Sequence, residues 1–180
     1  MIGWDGGRGS KVGSWQLYAI LVGATLTMKQ ENKINLHGQW FGYYSYGEEY
    51  GPNLHGEKVI FSLLFDEIFN NKFKGKCIEL SGIGAVEEIS SIEGFIEDDF
   101  ISFQKLYSGK YVIDEEGNSL ETNDPSSHEL SYEGKYDYLT KIFNGKWEIW
   151  LNDKSSGDLN YILIGSGDWE MSKDSNKYGV

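Results

Sequence analysis

The chain has 180 residues, room for one domain, and a domain of this length buries roughly 70% of its unfolded surface without disulfide or metal staples. Its formal net charge of −12 repels phosphate backbones and anionic lipid surfaces, so neither nucleic acid nor a membrane is an expected partner. Aromatic residues make up 15% of the chain, and Gly occurs 23 times against two Pro, a composition that favours strands joined by tight turns.

Residues 1–28 differ in character from the rest of the chain. MIGWDGGRGSKVGS is Gly-rich and mildly basic, and the seventeen residues from Val12 to Met28 carry no charge. That run is shorter and more interrupted than the roughly 20 apolar residues a membrane helix needs. It is near the length of a signal-peptide core, yet no A-x-A cleavage pattern comes after it. We read residues 1–28 as a leader or extension, with a secretory signal and an integral helix or strand as alternatives, and residues 29–180 as one domain. A cytoplasmic location is expected, or secretion if the leader is a signal. GGRGSK lacks the G-x-x-x-x-G-K-[ST] spacing of a phosphate loop. Cys77 is the single cysteine, which excludes an internal disulfide.

From residue 36 onward, runs with a period of two predict strands. LHGQWFGYYSY (36–46) is the first, with Trp40, Gly42, Tyr44 and Tyr46 on one face. Phe41 and Tyr43 then face outward, where the leader, the 108–127 connection or a second subunit would cover them, so a homo-oligomer through Phe41 and Tyr43 is one expectation. EKVIFSLLFDEI (57–68) aligns Val59, Phe61, Leu63 and Phe65. FKGKCIEL (73–80) aligns Phe73, Gly75, Cys77 and Glu79. AVEEISSIEGFIE (85–97) is a fourth strand, bent. DFISFQKLY (99–107) aligns Ile101, Phe103, Lys105 and Tyr107. A short strand at 111–114 precedes a polar segment. HELSYEGKYDYL (128–139), KIFNGKWEIWL (141–151) and NYILIGSGDWEM (160–171) complete the set. No amphipathic helix of three turns is evident. Short links such as FNNKF and EDDF make neighbours in sequence antiparallel neighbours in space. Eight such strands predict an all-β fold, an antiparallel up-and-down β-barrel of about eight strands with no exposed edge.

Gly38-Gln39-Trp40 on the first strand resembles the G-x-W signature of the calycins, the lipocalin, fatty-acid-binding and avidin group. The resemblance implies a Trp that closes one barrel end. Gly145-Lys146-Trp147 and Gly167-Asp168-Trp169 repeat the spacing and are similar to late avidin strands. A lipocalin would also set an Arg near the last strand against the first Trp; here the single Arg, Arg8, precedes the barrel. The F-x-G, I-x-F-x-K-x-Y and G-x-W-x-I strands also resemble those of uncharacterised bacterial barrel proteins, a resemblance that implies no function.

An inward Glu79 and an inward Lys105 would have to pair, because a buried lone charge is costly. The alternative is a pair on the rim or in solvent. Tyr44, Tyr107 and Tyr132 would add hydroxyls, with core packing as their alternative role. The expected ligand-binding set is therefore Trp40, Tyr44, Glu79, Lys105, Tyr107, Tyr132 and Trp147, and the expected partner is a small apolar or amphipathic molecule. No cofactor is expected. His37, His55 and His128 form no H-x-H or H-E-x-x-H, so no metal site is expected, and no catalytic residue stands out from the many carboxylates. A barrel enzyme of isomerase or cyclase type, using Glu79, Lys105 or a Tyr as acid–base groups, and a filled barrel acting as an interaction module are the competing readings.

Overall fold

A computed structural model describes residues 33–114, 117–122, 129–153 and 160–180, the side chains of 151–162 excepted. The leader therefore lies outside the described residues. Eight strands form a closed antiparallel barrel: β1 (Gly38–Ser45), β2 (Lys58–Phe69), β3 (Lys72–Ser81), β4 (Ile89–Glu97), β5 (Phe100–Leu106), β8 (Glu129–Asp137), β9 (Ile142–Asp153) and β10 (Asn160–Ser172). Each pairs with its neighbour in this sequence, and β1 pairs with β10 to close the ring, with Gly42 opposite Met171. The expected up-and-down barrel is thus the observed one. Between β5 and β8 lies a two-stranded hairpin of β6 (Tyr111–Ile113) and β7 (Ser119–Glu121).

The period-two reading of the inward faces holds. Trp40, Tyr44 and Tyr46 are buried, as are Val59, Phe61, Leu63 and Phe65, then Phe73, Cys77 and Glu79, then Ile101, Phe103, Lys105 and Tyr107. One boundary departs from expectation. The fourth strand starts at Ile89 and not at residue 85, because residues 82–88 are bent away from the ladder. Gly82 and Gly84 have φ of 126° and 76°, which favour glycine. The Val86 N–H is drawn onto the Glu79 side chain at 2.6 Å. The sequence places β7 in a polar loop; three residues are too few to display a period.

The two ends of the barrel are built differently. At one end the turns are tight: Asn70 and Asn71 between β2 and β3, and Asp98 between β4 and β5, adopt φ of 49°, 63° and 53°, a conformation Asn and Asp tolerate. Trp40 fills this end. Its ring meets Phe143 at 5.4 Å, Phe65 at 6.4 Å and Tyr136 at 6.5 Å, and its indole N–H donates to the Leu36 carbonyl at 2.9 Å. Lys173, just after β10, holds its ammonium 5.4 Å from the same ring and donates to the His37 carbonyl. The opposite end carries the longer connections: the β1–β2 link with its 3-10 turn Glu48–Tyr50, the 82–88 loop and the β6–β7 hairpin.

Among the described residues, the outward Tyr43 is covered by the C-terminal turn and a lysine of β2; the leader lies outside the described residues. Tyr178, in the C-terminal 3-10 turn Ser175–Tyr178, lies 6.3 Å from it, and the Lys58 ammonium sits 3.7 Å above its ring.

The repeated Gly-x-Trp motifs have a geometric cause. β9 and β10 run antiparallel with Trp147 opposite Gly167 and Trp169 opposite Gly145. The Trp147 indole lies over Gly167, whose Cβ would sit 2.5 Å from its nitrogen, and the Trp169 ring lies over Gly134 on β8. A side chain at Gly145 would run into the Glu133 carbonyl and the backbone of Gly134, and one at Gly134 would sit 2.6 Å from the Trp169 ring. The Trp147 N–H donates to the Ser45 carbonyl at 2.9 Å, and that of Trp169 to the carbonyls of Glu133 and Lys146 at 3.1 and 3.0 Å. Between the motifs, outward Lys146 and Asp168 pair at 2.6 Å on the exposed face, which contributes little.

Gly145→Ala is expected to lower stability by about 1–3 kcal/mol, the usual cost of forcing extra volume into a packed interior. Urea unfolding followed by tryptophan fluorescence measures it, and an unchanged midpoint would remove the close-approach argument.

Candidate functional site

Glu79 and Lys105 stand on β3 and β5, two strands apart. Both point into the barrel across β4, whose inward Ile92 lies opposite Lys105 and whose inward Ser90 donates its hydroxyl to the Cys77 carbonyl at 3.1 Å. Their side chains are 1% and 2% exposed, which settles the choice between an interior and a rim pair in favour of the interior. Lys105 Nζ donates to Glu79 Oε1 and, at 2.7 Å, to the Tyr107 hydroxyl. The Tyr107 hydroxyl donates in turn to Glu79 Oε1, and Tyr44 donates to the same oxygen at 3.2 Å. The Val86 N–H occupies Oε2. Four donors from separate parts of the chain thus meet one carboxylate, which offsets the cost of removing the ion pair from water.

Electrostatics in this cluster favour a fixed charge state. Burial opposes the charge on Lys105, but Cys77 and Glu79, with Tyr132, outweigh it and raise its pKa above the ordinary lysine value. Burial first, and then the Glu79 charge, push the hydroxyls of Tyr44 and Tyr107 well above their ordinary range. Burial also raises Tyr132 and the Cys77 thiol. The cluster holds one ion pair ringed by neutral hydroxyls.

Above the cluster, at the end with the longer connections, lies a cavity of about 360 Å³. Tyr44, Tyr46, Tyr50 and Trp147 wall one side; Tyr46 and Tyr50 lie 4.7 Å apart, and Tyr44 and Trp147 5.7 Å. Tyr107 and Tyr111, 5.7 Å apart, wall the other, β5 being diametrically across the ring from β1. Leu54, Val86 and Leu130 add apolar surface, and Ile113 and Ser119 of the hairpin roof it. The hairpin is held over the mouth by Ser119, whose hydroxyl donates to the Gly84 carbonyl at 2.6 Å, and by the Gly84 N–H, which donates to the Gly117 carbonyl at 2.9 Å.

The seven residues picked from the sequence fall at four places in the barrel. Tyr44, Tyr107 and Trp147 line the mouth cavity. Glu79 and Lys105 lie beneath it, bonded to the two tyrosines. Tyr132 is deeper, stacked on Phe103 at 4.8 Å, and Trp40 is at the opposite end, beside a separate depression of about 580 Å³ with Tyr136 and Lys173. Sequence reasoning missed Tyr50, Leu54, Val86 and Tyr111. Tyr50 and Leu54 lie in the β1–β2 link and Val86 in the 82–88 loop, where periodicity gives no facing direction, and Tyr111 sits on a three-residue strand. Among the described residues, no group of three or more His, Cys, Asp or Glu is arranged to hold a metal ion.

Replacing one partner of the buried pair strands the other. Lys105→Met and Glu79→Gln are each expected to cost about 3–5 kcal/mol, and the double variant less than either single change; urea unfolding of all three measures the coupling, and additive small effects would contradict the buried pair.

Alkali gives a second prediction. The folded-state values of Cys77, Tyr44, Tyr107, Tyr132 and Lys105 all lie above their ordinary 9.0, 10.0 and 10.5. On raising the pH the unfolded chain therefore loses protons first, so these groups' contribution to stability is complete below about pH 9 and declines through pH 9–10.5 and above. Absorbance at 295 nm should show the three tyrosines ionising only together with unfolding. Their titration in a still-folded chain near the ordinary value would contradict the burial.

No protein-family model, curated protein or solved structure was found to match this chain.

Proposed function

We propose that this chain is a non-enzymatic binding protein that takes a small apolar or amphipathic molecule into the mouth of its barrel, in the manner of the calycins. The observation that carries the reading is the aromatic-walled cavity of about 360 Å³ over the Glu79–Lys105 cluster, within the roughly 300–1,000 Å³ typical of small-molecule sites. Apolar walls with a few fixed polar groups are the usual composition of such a site. Calycin character is supported by Trp40 sealing the far end and by Lys173, whose ammonium over the Trp40 ring occupies the place expected for an arginine.

The state of the polar cluster supports binding over acid–base catalysis. A general base or acid works best with a pKa near the operating pH. Here Lys105 is pushed up, away from neutrality, and so are Tyr44 and Tyr107. The Glu79 carboxylate already accepts from four donors. The groups that would carry a proton are committed to holding one another.

The uncharged dye N-phenyl-1-naphthylamine tests the cavity. Its fluorescence should rise on mixing with the protein, with energy transfer from tryptophan. Leu54→Trp, which fills the mouth, should weaken dye binding by at least about tenfold, or ~1.4 kcal/mol, and leave the thermal melt in place. Native mass spectrometry of protein from its own source should show a co-purifying small molecule. A dye that does not bind, or binds the variant equally well, would favour a filled barrel that acts as an interaction module.

A further inference from the structure

The hydroxyls around the mouth cavity share one property, and it restricts what can bind there. Tyr44 and Tyr107 give their protons to Glu79. Tyr46 gives its proton to the Ile83 carbonyl at 2.9 Å and Ser119 to the Gly84 carbonyl at 2.6 Å. Tyr111 is hydrogen-bonded to Glu88, and burial first, then that bond, raise its pKa. The Trp147 N–H is likewise spent, on the Ser45 carbonyl. Among the described residues that line the cavity, Tyr50 alone keeps a hydroxyl proton with no partner given to it by the fold. The hydroxyl oxygens of Tyr44 and Ser119 keep a lone pair, whereas Tyr107 also accepts from Lys105, and Tyr46 and Tyr111 also meet Tyr44 and Ser108. The polar surface of the cavity is therefore made of acceptors.

The walls act in the same direction. Aromatic faces carry negative electrostatic potential and attract cations, and rings of five tyrosines and Trp147 line this space. Among the described residues that line it, none carries a charge. The Lys105 ammonium beneath is matched by Glu79, and the chain as a whole carries −12, a field that draws cations and repels anions. A carboxylate entering the cavity would lose its hydration shell and find one free donor at most. A protonated amine would find oxygen lone pairs and ring faces.

We infer that the ligand of this cavity is an organic amine: a compact apolar or aromatic body bearing an ammonium head, and not a carboxylic acid. The inference rests on the binding reading above and adds the ligand's chemical class to it.

Three compounds with one skeleton separate the classes at pH 7. Tryptamine carries an ammonium, indole-3-propionate a carboxylate, and 3-ethylindole no charge. Each competes with N-phenyl-1-naphthylamine, and the affinities come from displacement. Tryptamine is expected to bind at least about tenfold more tightly than indole-3-propionate, equivalent to ~1.4 kcal/mol, and more tightly than 3-ethylindole. Leu54→Lys, which introduces a cation at the mouth, is expected to remove or reverse that preference while the dye still binds. Equal affinities for the three, or a preference for the carboxylate, overturn the inference and leave the cavity as a general apolar site. Absence of dye binding in the parent protein overturns the binding reading itself, and the inference with it. A tryptamine preference that survives unchanged in Leu54→Lys places the amine elsewhere on the acidic surface and overturns the assignment to this cavity.

Discussion

The Glu79 carboxylate is the point on which the upper half of the barrel depends. A charge in the interior of a barrel is tolerated only when its partners reach it, and the partners of this one come from far apart in the chain: Tyr44 on β1, Val86 in the loop after β3, Lys105 on β5 and Tyr107 just beyond it. β1 and β5 face each other across the ring, so the cluster ties opposite walls together at one depth. Below it the space is filled by rings, with Phe103 on Tyr132, Phe65 on Phe73 and Trp40 against Phe143. Above it the walls stay apart. The cluster thus sets the floor of the cavity, and its saturated hydrogen bonds decide which atoms that floor presents.

Local conformation obeys the same demand. The Val86 N–H is taken out of strand pairing to reach the carboxylate, and the chain from 82 to 88 bends around it, helped by two glycines with positive φ. That loop then receives the β6–β7 hairpin through Ser119 and Gly117. A single buried acid is in this way connected, through one backbone amide and one loop, to the roof of the site.

Much of this was legible before the fold was known, for a definite reason. In a barrel whose interior is packed, period-two alternation specifies facing direction without ambiguity, and an inward Glu79 and an inward Lys105 in such a chain imply each other. The same alternation placed Tyr44, Tyr107 and Trp147 inside. It could not say at what height each sits, because height depends on the stagger between strands. Trp40 and Trp147 both face inward from G-x-W motifs, yet one closes the barrel and the other lines its open end. Tyr50 and Tyr111 were not legible, since the short 3-10 turn and the three-residue strand that aim them have no periodicity. Nor was the late start of β4 at Ile89, because it depends on the contact of the Val86 N–H with Glu79 as well as on the two glycines.

The facing Gly-x-Trp motifs of β9 and β10 have a consequence for how such a chain can change over time. Trp147 needs Gly167, Gly134 must stay bare beneath the Trp169 ring, and Gly145 must stay bare against the backbone of Glu133 and Gly134. These five positions on three strands make one steric unit, in which no single member can be exchanged for a larger or smaller residue without leaving a hole or a collision at another. Descendant sequences should keep or lose them together. In an aligned set of relatives they should vary as a block, while Lys146 and Asp168, which sit between them and face water, drift freely.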